Sequence, residues 1–219
     1  MVKQPLLLPV LALFLAVNAA ADWQKIPATD FTMAPPPAPG SAESVADYAT
    51  LLNLQASRTP EQCAAAAAEL TPDFSSLFSG SGILSAAEMD ATRPLIDSAS
   101  AWLSKITGAF KKQYARPRPY DADPRVVPCI TKPGGATSYP STHAAAGAFD
   151  ACLLGSLFPA RANALASHGK IVGDLRVIAG VHHPSDVAAG QDLGARMCAR
   201  LLKETDFLAE LDAVRKTLP

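Results

Sequence analysis

Apolar residues recur along this chain at helical spacing, and no stretch alternates apolar with polar positions for long enough to make a strand. Ser41 is placed to cap a helix whose Val45, Tyr48, Leu51 and Leu52 form an inward stripe. Thr59-Pro60-Glu61-Gln62 combines a capping box with proline at the first helical position, ahead of the alanine run 64–68. Thr71-Pro72 is a short turn leading to Phe74, Leu77 and Phe78, and SGSG at 79–82 reads as a loop. Ser85 and Glu88 form a second capping box, and after Pro94 the residues Leu95, Ala99, Trp102, Ile106 and Phe110 repeat at helical spacing up to Lys111 and Lys112. Six prolines then mark 115–140 as loop.

Ser141 opens the next helix, about 142–157, with His143 in its first turn. Two further helices, 185–203 and 206–216, carry the core residues Val187, Leu193, Met197, Leu201, Phe207, Leu211 and Val214. Gly190 and Gly194 leave room there for a close helix neighbour. The expected fold is all-α, a single-domain helical bundle with long functional loops.

The stretch 171–190, IVGDLRVIAGVHHPSDVAAG, carries the densest chemistry. On an unbroken helix, Arg176 and His182 would be separated by about 600° of rotation and point apart. Gly180 is suited to stop one helix and Pro184 to start another capped from His183, so the chain is expected to break between them. Arg176 and His182 then converge, with Asp186 in reach of an imidazole nitrogen. A carboxylate behind a histidine fixes its tautomer and raises its basicity. Taken alone, such a cluster also fits an ion-paired surface, and Lys111 and Lys112 also fit the helix dipole.

Composition narrows the alternatives. A chain of 219 residues that is 49% hydrophobic can bury one full core. Its formal net charge of -1, with no basic stripe, excludes a nucleic-acid binder, so any anion site is local. Residues 1–21 carry Lys3, the run LLLPVLALFLAV and closing alanines, as a secretory signal cleaved after Ala21 does. The protein is therefore expected to be periplasmic or secreted, with no stable membrane insertion after cleavage. Residues 22–40, with Pro35 to Pro37 consecutive, are expected to lie extended on the surface, leaving 41–219 as the folded domain. Cys63, Cys129, Cys152 and Cys198 permit up to two disulfides in three connectivities, with buried thiols an alternative for Cys152 and Cys198. The sequence leaves the oligomeric state open.

Set side by side, the pieces are Lys111 with six residues to Arg118-Pro119, then Pro140-Ser141-Thr142-His143, then Arg176 with five residues to His182 and three more to Asp186. This ordered pattern resembles the signature of the type 2 phosphatidic acid phosphatase and vanadium haloperoxidase superfamily. From PPPAPGS through SYPSTHAA to RVIAG-H-SD-AAG, nearly all of the mature chain resembles bacterial class A nonspecific acid phosphatases.

The resemblance implies that Lys111, Arg118, Arg176, Ser141 and the Thr142 amide bind phosphate oxygens. It implies that His182, oriented by Asp186, attacks phosphorus, and that His143 protonates the leaving alcohol. Hydrolysis of soluble phosphate monoesters to inorganic phosphate would then run through a phosphohistidine, with no metal and no cofactor. Alternatives are a vanadate-dependent haloperoxidase and a phosphate-binding protein without turnover. A metal hydrolase built on His182, His183 and Asp186 lacks the usual two histidines on one helical face.

Two departures bear on substrate range and rate. Thr142 stands where the family has glycine, and Leu175 where it has serine. His183 lies outside the pattern and is expected at the surface or behind the site.

Overall fold

A computed structural model describes residues 21–69 and 71–219; the expected signal at 1–21 lies outside them except for Ala21. Among the described residues, nine α-helices follow one another: α1 Ala42–Ser57, α2 Pro60–Ala68, α3 Phe74–Phe78, α4 Ala86–Tyr114, α5 Pro119–Ala122, α6 Thr142–Leu157, α7 Ala162–Ile178, α8 Pro184–Leu201 and α9 Thr205–Thr217. Among the described residues the only β contact outside named strands is an isolated bridge between Pro117 and Thr137. The all-α expectation holds.

Local chemistry sets most helix starts. Ser41 accepts from Ser44 N–H, Thr59 and Gln62 exchange bonds as a capping box, Ser85 and Glu88 do the same, and Ser141 accepts from Ala144 N–H. Pro94 lies inside α4, which runs unbroken from the Ser85 cap to Tyr114. The 115–140 segment is not wholly loop, because Pro119 starts the single turn α5 with Arg118 as its cap.

The expected inward stripe of α1 is corrected by the structure. Val45 is 61% exposed, whereas Ser44, Asp47 and Leu51 are buried. This helix turns a partly polar face inward because Asp47 pairs there with Arg116.

The reading of 22–40 as surface chain is also corrected in its first half. Two 3-10 turns, Asp22–Lys25 and Ala28–Asp30, fold Trp23, Ile26 and Phe31 into the core. Trp23 donates from Nε1 to Glu210 and packs edge-on against Phe207 and Trp102. Such an indole buries more apolar area than its extended neighbours can offset by staying in water.

α6 is the central helix, packed on α7, α8 and α4. Its neighbours come close because they present glycine. A Cβ built on Gly194 would lie 2.2 Å from the Ala145 carbonyl oxygen, and one on Gly169 would lie 2.3 Å from that of Gly147. Two disulfides complete the frame: Cys152–Cys198 joins α6 to α8, and Cys63–Cys129 ties α2 to the 115–140 segment. Cys152 and Cys198 are thus not free thiols.

Gly194→Ala is expected to lower stability by about 2 kcal/mol in reversible chemical denaturation, since overpacking against backbone costs ~1–3 kcal/mol and outweighs the gain in helix propensity. Gly108→Ala, on α4 with nothing within 4 Å of its Cβ position, is expected to gain about 0.5–1 kcal/mol. Equal effects at the two positions would contradict the close-packing account.

Candidate active site

The turn between α7 and α8 is built as its residues dictate. Gly180 has φ +75°, its N–H bonds the Val177 carbonyl and the Val181 N–H reaches back to Arg176, which closes α7 in a Schellman motif. His183 then caps α8, Pro184 takes its first position, and Asp186 falls in its first turn. Helix α6 begins alongside, with Ser141 N–H donating 2.9 Å to the Asp186 carbonyl oxygen. Two helix N-termini therefore lie together, both with dipoles that favour negative charge.

Asp186 is fully buried and densely bonded. It accepts from Arg116 Nη1 at 2.6 Å, from Ser138 Oγ, from the His183 backbone N–H at 2.8 Å and from His183 Nδ1 at 3.0 Å. Nδ1 of His182 lies 3.4 Å from the same carboxylate. Despite the cost of burial, hydrogen bonds and the neighbouring imidazoles hold its pKa well below the usual carboxylate range.

Arg118 Nη1 lies 2.7 Å from His182 Nε2 and 2.9 Å from the Val181 carbonyl. A guanidinium only donates, so Nε2 is the accepting nitrogen and the ring proton sits on Nδ1, toward Asp186. That tautomer leaves an exchangeable lone pair on Nε2. Burial pushes His182 down to about 3, with Arg118 and Lys111 adding to the shift and Asp186 opposing it. His182 is thus neutral at ordinary pH.

On α6, His143 places Nε2 3.1 Å from the Glu69 carbonyl, which can only accept, so this nitrogen carries the proton. Burial also lowers His143 to about 3, assisted chiefly by the charge of Arg176 and also by that of Arg118. Lys111 donates to the carbonyls of Thr137 and Ser138 and is drawn down to about 8, chiefly by burial. Arg176 bonds the Glu69 carboxylate at 2.9 Å and the Ala66 carbonyl at 2.6 Å. Ser141 is fully buried and spends its hydroxyl on the α6 cap, while Thr142 is half-buried in the first turn.

The structure therefore brings Lys111, Arg118, His143, Arg176, His182 and Asp186 into one electrostatically coupled cluster. Leu175 is buried in an apolar cluster with Ala66, Ala179 and Val181. A cavity of about 510 Å³ adjoins the cluster through Arg116 and His183 and is otherwise lined mainly by Pro35–Gly40, Tyr48 and Tyr114. Lys111, Arg118 and Arg176 do not line it; most of their donors are turned onto protein oxygens instead. Among the described residues, no group of three or more His, Cys, Asp or Glu side chains is placed to hold a metal ion.

Several participants escape a reading of sequence. Arg116 bridges Asp47 and Asp186, Ser185 bonds Asp47, Ser138 bonds Asp186, and Glu69 reaches Arg176. His183 is 2% exposed and bonds Asp186, so of its two expected places it takes the one behind the site.

Comparison with known proteins places this geometry. The chain is 39% identical over 118 residues to a non-specific acid phosphatase of Salmonella typhimurium, covering 51% of this chain and 46% of that protein. It is 34% identical over 116 residues to an acid phosphatase of Zymomonas mobilis subsp. mobilis, covering 51% and 43%. The chain thus spans about half the length of the curated relatives it matches, a narrower likeness than one running over nearly all the mature chain. A transmembrane PAP2-type phosphatidylglycerolphosphate phosphatase of Bacillus subtilis shares the fold at a TM-score of 0.57 and 18% identity, over 74% of this chain and 85% of that one. The model of the PAP2 superfamily matches residues 98–206, which contain Lys111, Arg118, Ser141, His143, Arg176, His182 and Asp186. The chain belongs to the PAP2 superfamily.

Proposed function

We propose that this protein is an exported acid phosphatase that hydrolyses soluble phosphate monoesters through a phosphohistidine, without a metal or cofactor. One observation carries the reading: a neutral, buried His182 with Asp186 behind Nδ1 and the Arg118 guanidinium against Nε2. A phosphate oxygen takes the place of Nε2 as the Arg118 acceptor, and the freed lone pair attacks phosphorus in line. Lys111, Arg118 and Arg176 neutralise the equatorial oxygens, with Ser141 and the Thr142 amide at the α6 N-terminus as neutral donors.

His143 gives its Nε2 proton to the leaving alkoxide and then takes one from the water that cleaves the phosphohistidine. Bound phosphate balances the cations that depress His143, which raises its pKa into a working range. Export is supported by the apolar leader and by two disulfides, which persist in oxidising compartments. Among the described residues no helix is long and apolar enough to cross a membrane.

On p-nitrophenyl phosphate, with chelator present, His182→Ala is expected to lower kcat at least ~1,000-fold. Rapid quenching with labelled substrate is expected to trap label on the unmodified protein and none on His182→Ala. Label remaining on the variant would overturn the nucleophile assignment.

The pH profile of kcat/KM reports the free protein. Below about pH 3, protonation of His182 removes the lone pair; above about pH 8, Lys111 loses the charge that binds phosphate. The optimum is therefore mildly acidic, and Lys111→Arg is expected to make the fall above pH 8 shallower. A level profile from pH 4 to 9 would contradict this account.

A further inference from the structure

Glu69 is the acid for which the proposed reaction has no use, yet it sits among the reacting groups. It is 7% exposed at the C-terminal end of α2, and its carboxylate bonds Arg176 Nη2 at 2.9 Å. Its backbone carbonyl receives both the His143 Nε2 proton, at 3.1 Å, and a bond from Arg176 Nη1 at 3.3 Å. One residue thus occupies the cation expected to hold phosphate and the proton expected to leave with the alcohol.

The arrangement is held by packing. Ala66 of the same helix is buried against Leu175, Ala179 and Val181, and Cys63 fastens α2 to Cys129, whose N–H bonds the Ala179 carbonyl. Carbonyls at a helix C-terminus lack partners within the helix, so Ala66 and Glu69 present acceptors to Arg176. Nε of Arg176 is nonetheless buried with no hydrogen-bond partner, a donor that a further oxygen would satisfy.

Resting on the phosphatase reading, we propose that Glu69 is a built-in competitor for phosphate: its carboxylate stands where a phosphate oxygen must bind Arg176, and substrate enters by displacing it. The charged and titratable groups facing it are the Arg176 guanidinium from α7 at the carboxylate and the His143 imidazole from α6 at the carbonyl, with Arg118 acting on both of those. Burial raises Glu69 to about 7, against the opposing pull of Arg176.

The sign follows directly. Above about pH 7 the carboxylate is ionised and competes; below it the neutral acid competes weakly, so anions bind better as pH falls. This makes Glu69 a specificity-determining residue that favours acidic conditions, and weaker esters suffer most. Affinity is reduced by the fraction of molecules in which Arg176 is engaged.

The test uses sulfate, whose charge is constant between pH 5 and pH 8, in calorimetric titrations of the full mature protein and of Glu69→Gln, which keeps the shape and a hydrogen bond. Glu69→Gln is expected to bind sulfate about tenfold more tightly than the unaltered protein at pH 8 and within about twofold at pH 5. Equal or weaker binding by the variant at pH 8, or a fall in melting temperature alone, overturns the proposal and leaves Glu69 a structural partner of Arg176. For the unaltered protein, which needs no variant to fold, sulfate affinity is expected to weaken from pH 6 to pH 8; a constant affinity also overturns it. If neither protein binds sulfate at either pH, the anion site itself is wrong and the phosphatase reading falls with the proposal.

Discussion

The site depends on one buried carboxylate. Asp186 sits at the first turn of α8, where the helix dipole and a backbone N–H favour its charge, and it draws in Arg116, Ser138 and His183 while facing Nδ1 of His182. An ionised group in such a place costs several kcal/mol unless every lone pair is met. The cost is offset by partners from three stretches of chain, at Arg116, Ser138 and His182–His183, so the charge itself dictates that those stretches meet. Through Arg116 the influence extends to Asp47 on α1 and thereby to the exposed orientation of Val45.

What the sequence disclosed and what it hid divide along locality. The caps at Ser41, Thr59, Ser85 and Ser141, the stop at Gly180 and the start at Pro184 were legible because each bond spans three or four residues. The burial of Trp23 was not, since its partners Glu210 and Phe207 lie almost a whole chain away. Arg116 shows no periodicity of its own, and only the fold pairs it with acids some seventy positions distant on either side. Glu69 was hidden for a different reason: beside an alanine-rich helix, a lone acid reads as solvated surface. The spaced motif located Lys111, Arg118, His143, Arg176, His182 and Asp186, and they do gather, while the backbone carbonyls that occupy them carry no side-chain signature.

Close packing and reactivity are linked through α6. The glycines of α7 and α8 let three backbones approach almost to contact, which fixes the start of α6 against the start of α8. Side chains on two such rigid ends hold their geometry better than side chains on loops. Cations gathered this tightly repel one another, and carbonyl oxygens of Ala66, Thr137, Ser138 and Val181 take up their donors. Most donors of the resting cluster are consequently taken, with Nε of Arg176 left unpaired, and a ligand largely exchanges one set of oxygens for another.

The Schellman turn at Gly180 also acts as a ruler. Within it, Val181 spends its N–H on the end of α7 and its carbonyl on Arg118, so a single residue fixes both the helix stop and the guanidinium opposite His182. Side chains in this turn can therefore vary more freely than its length: one residue added or lost between Arg176 and His182 would rotate the imidazole off its axis even with every functional group still encoded.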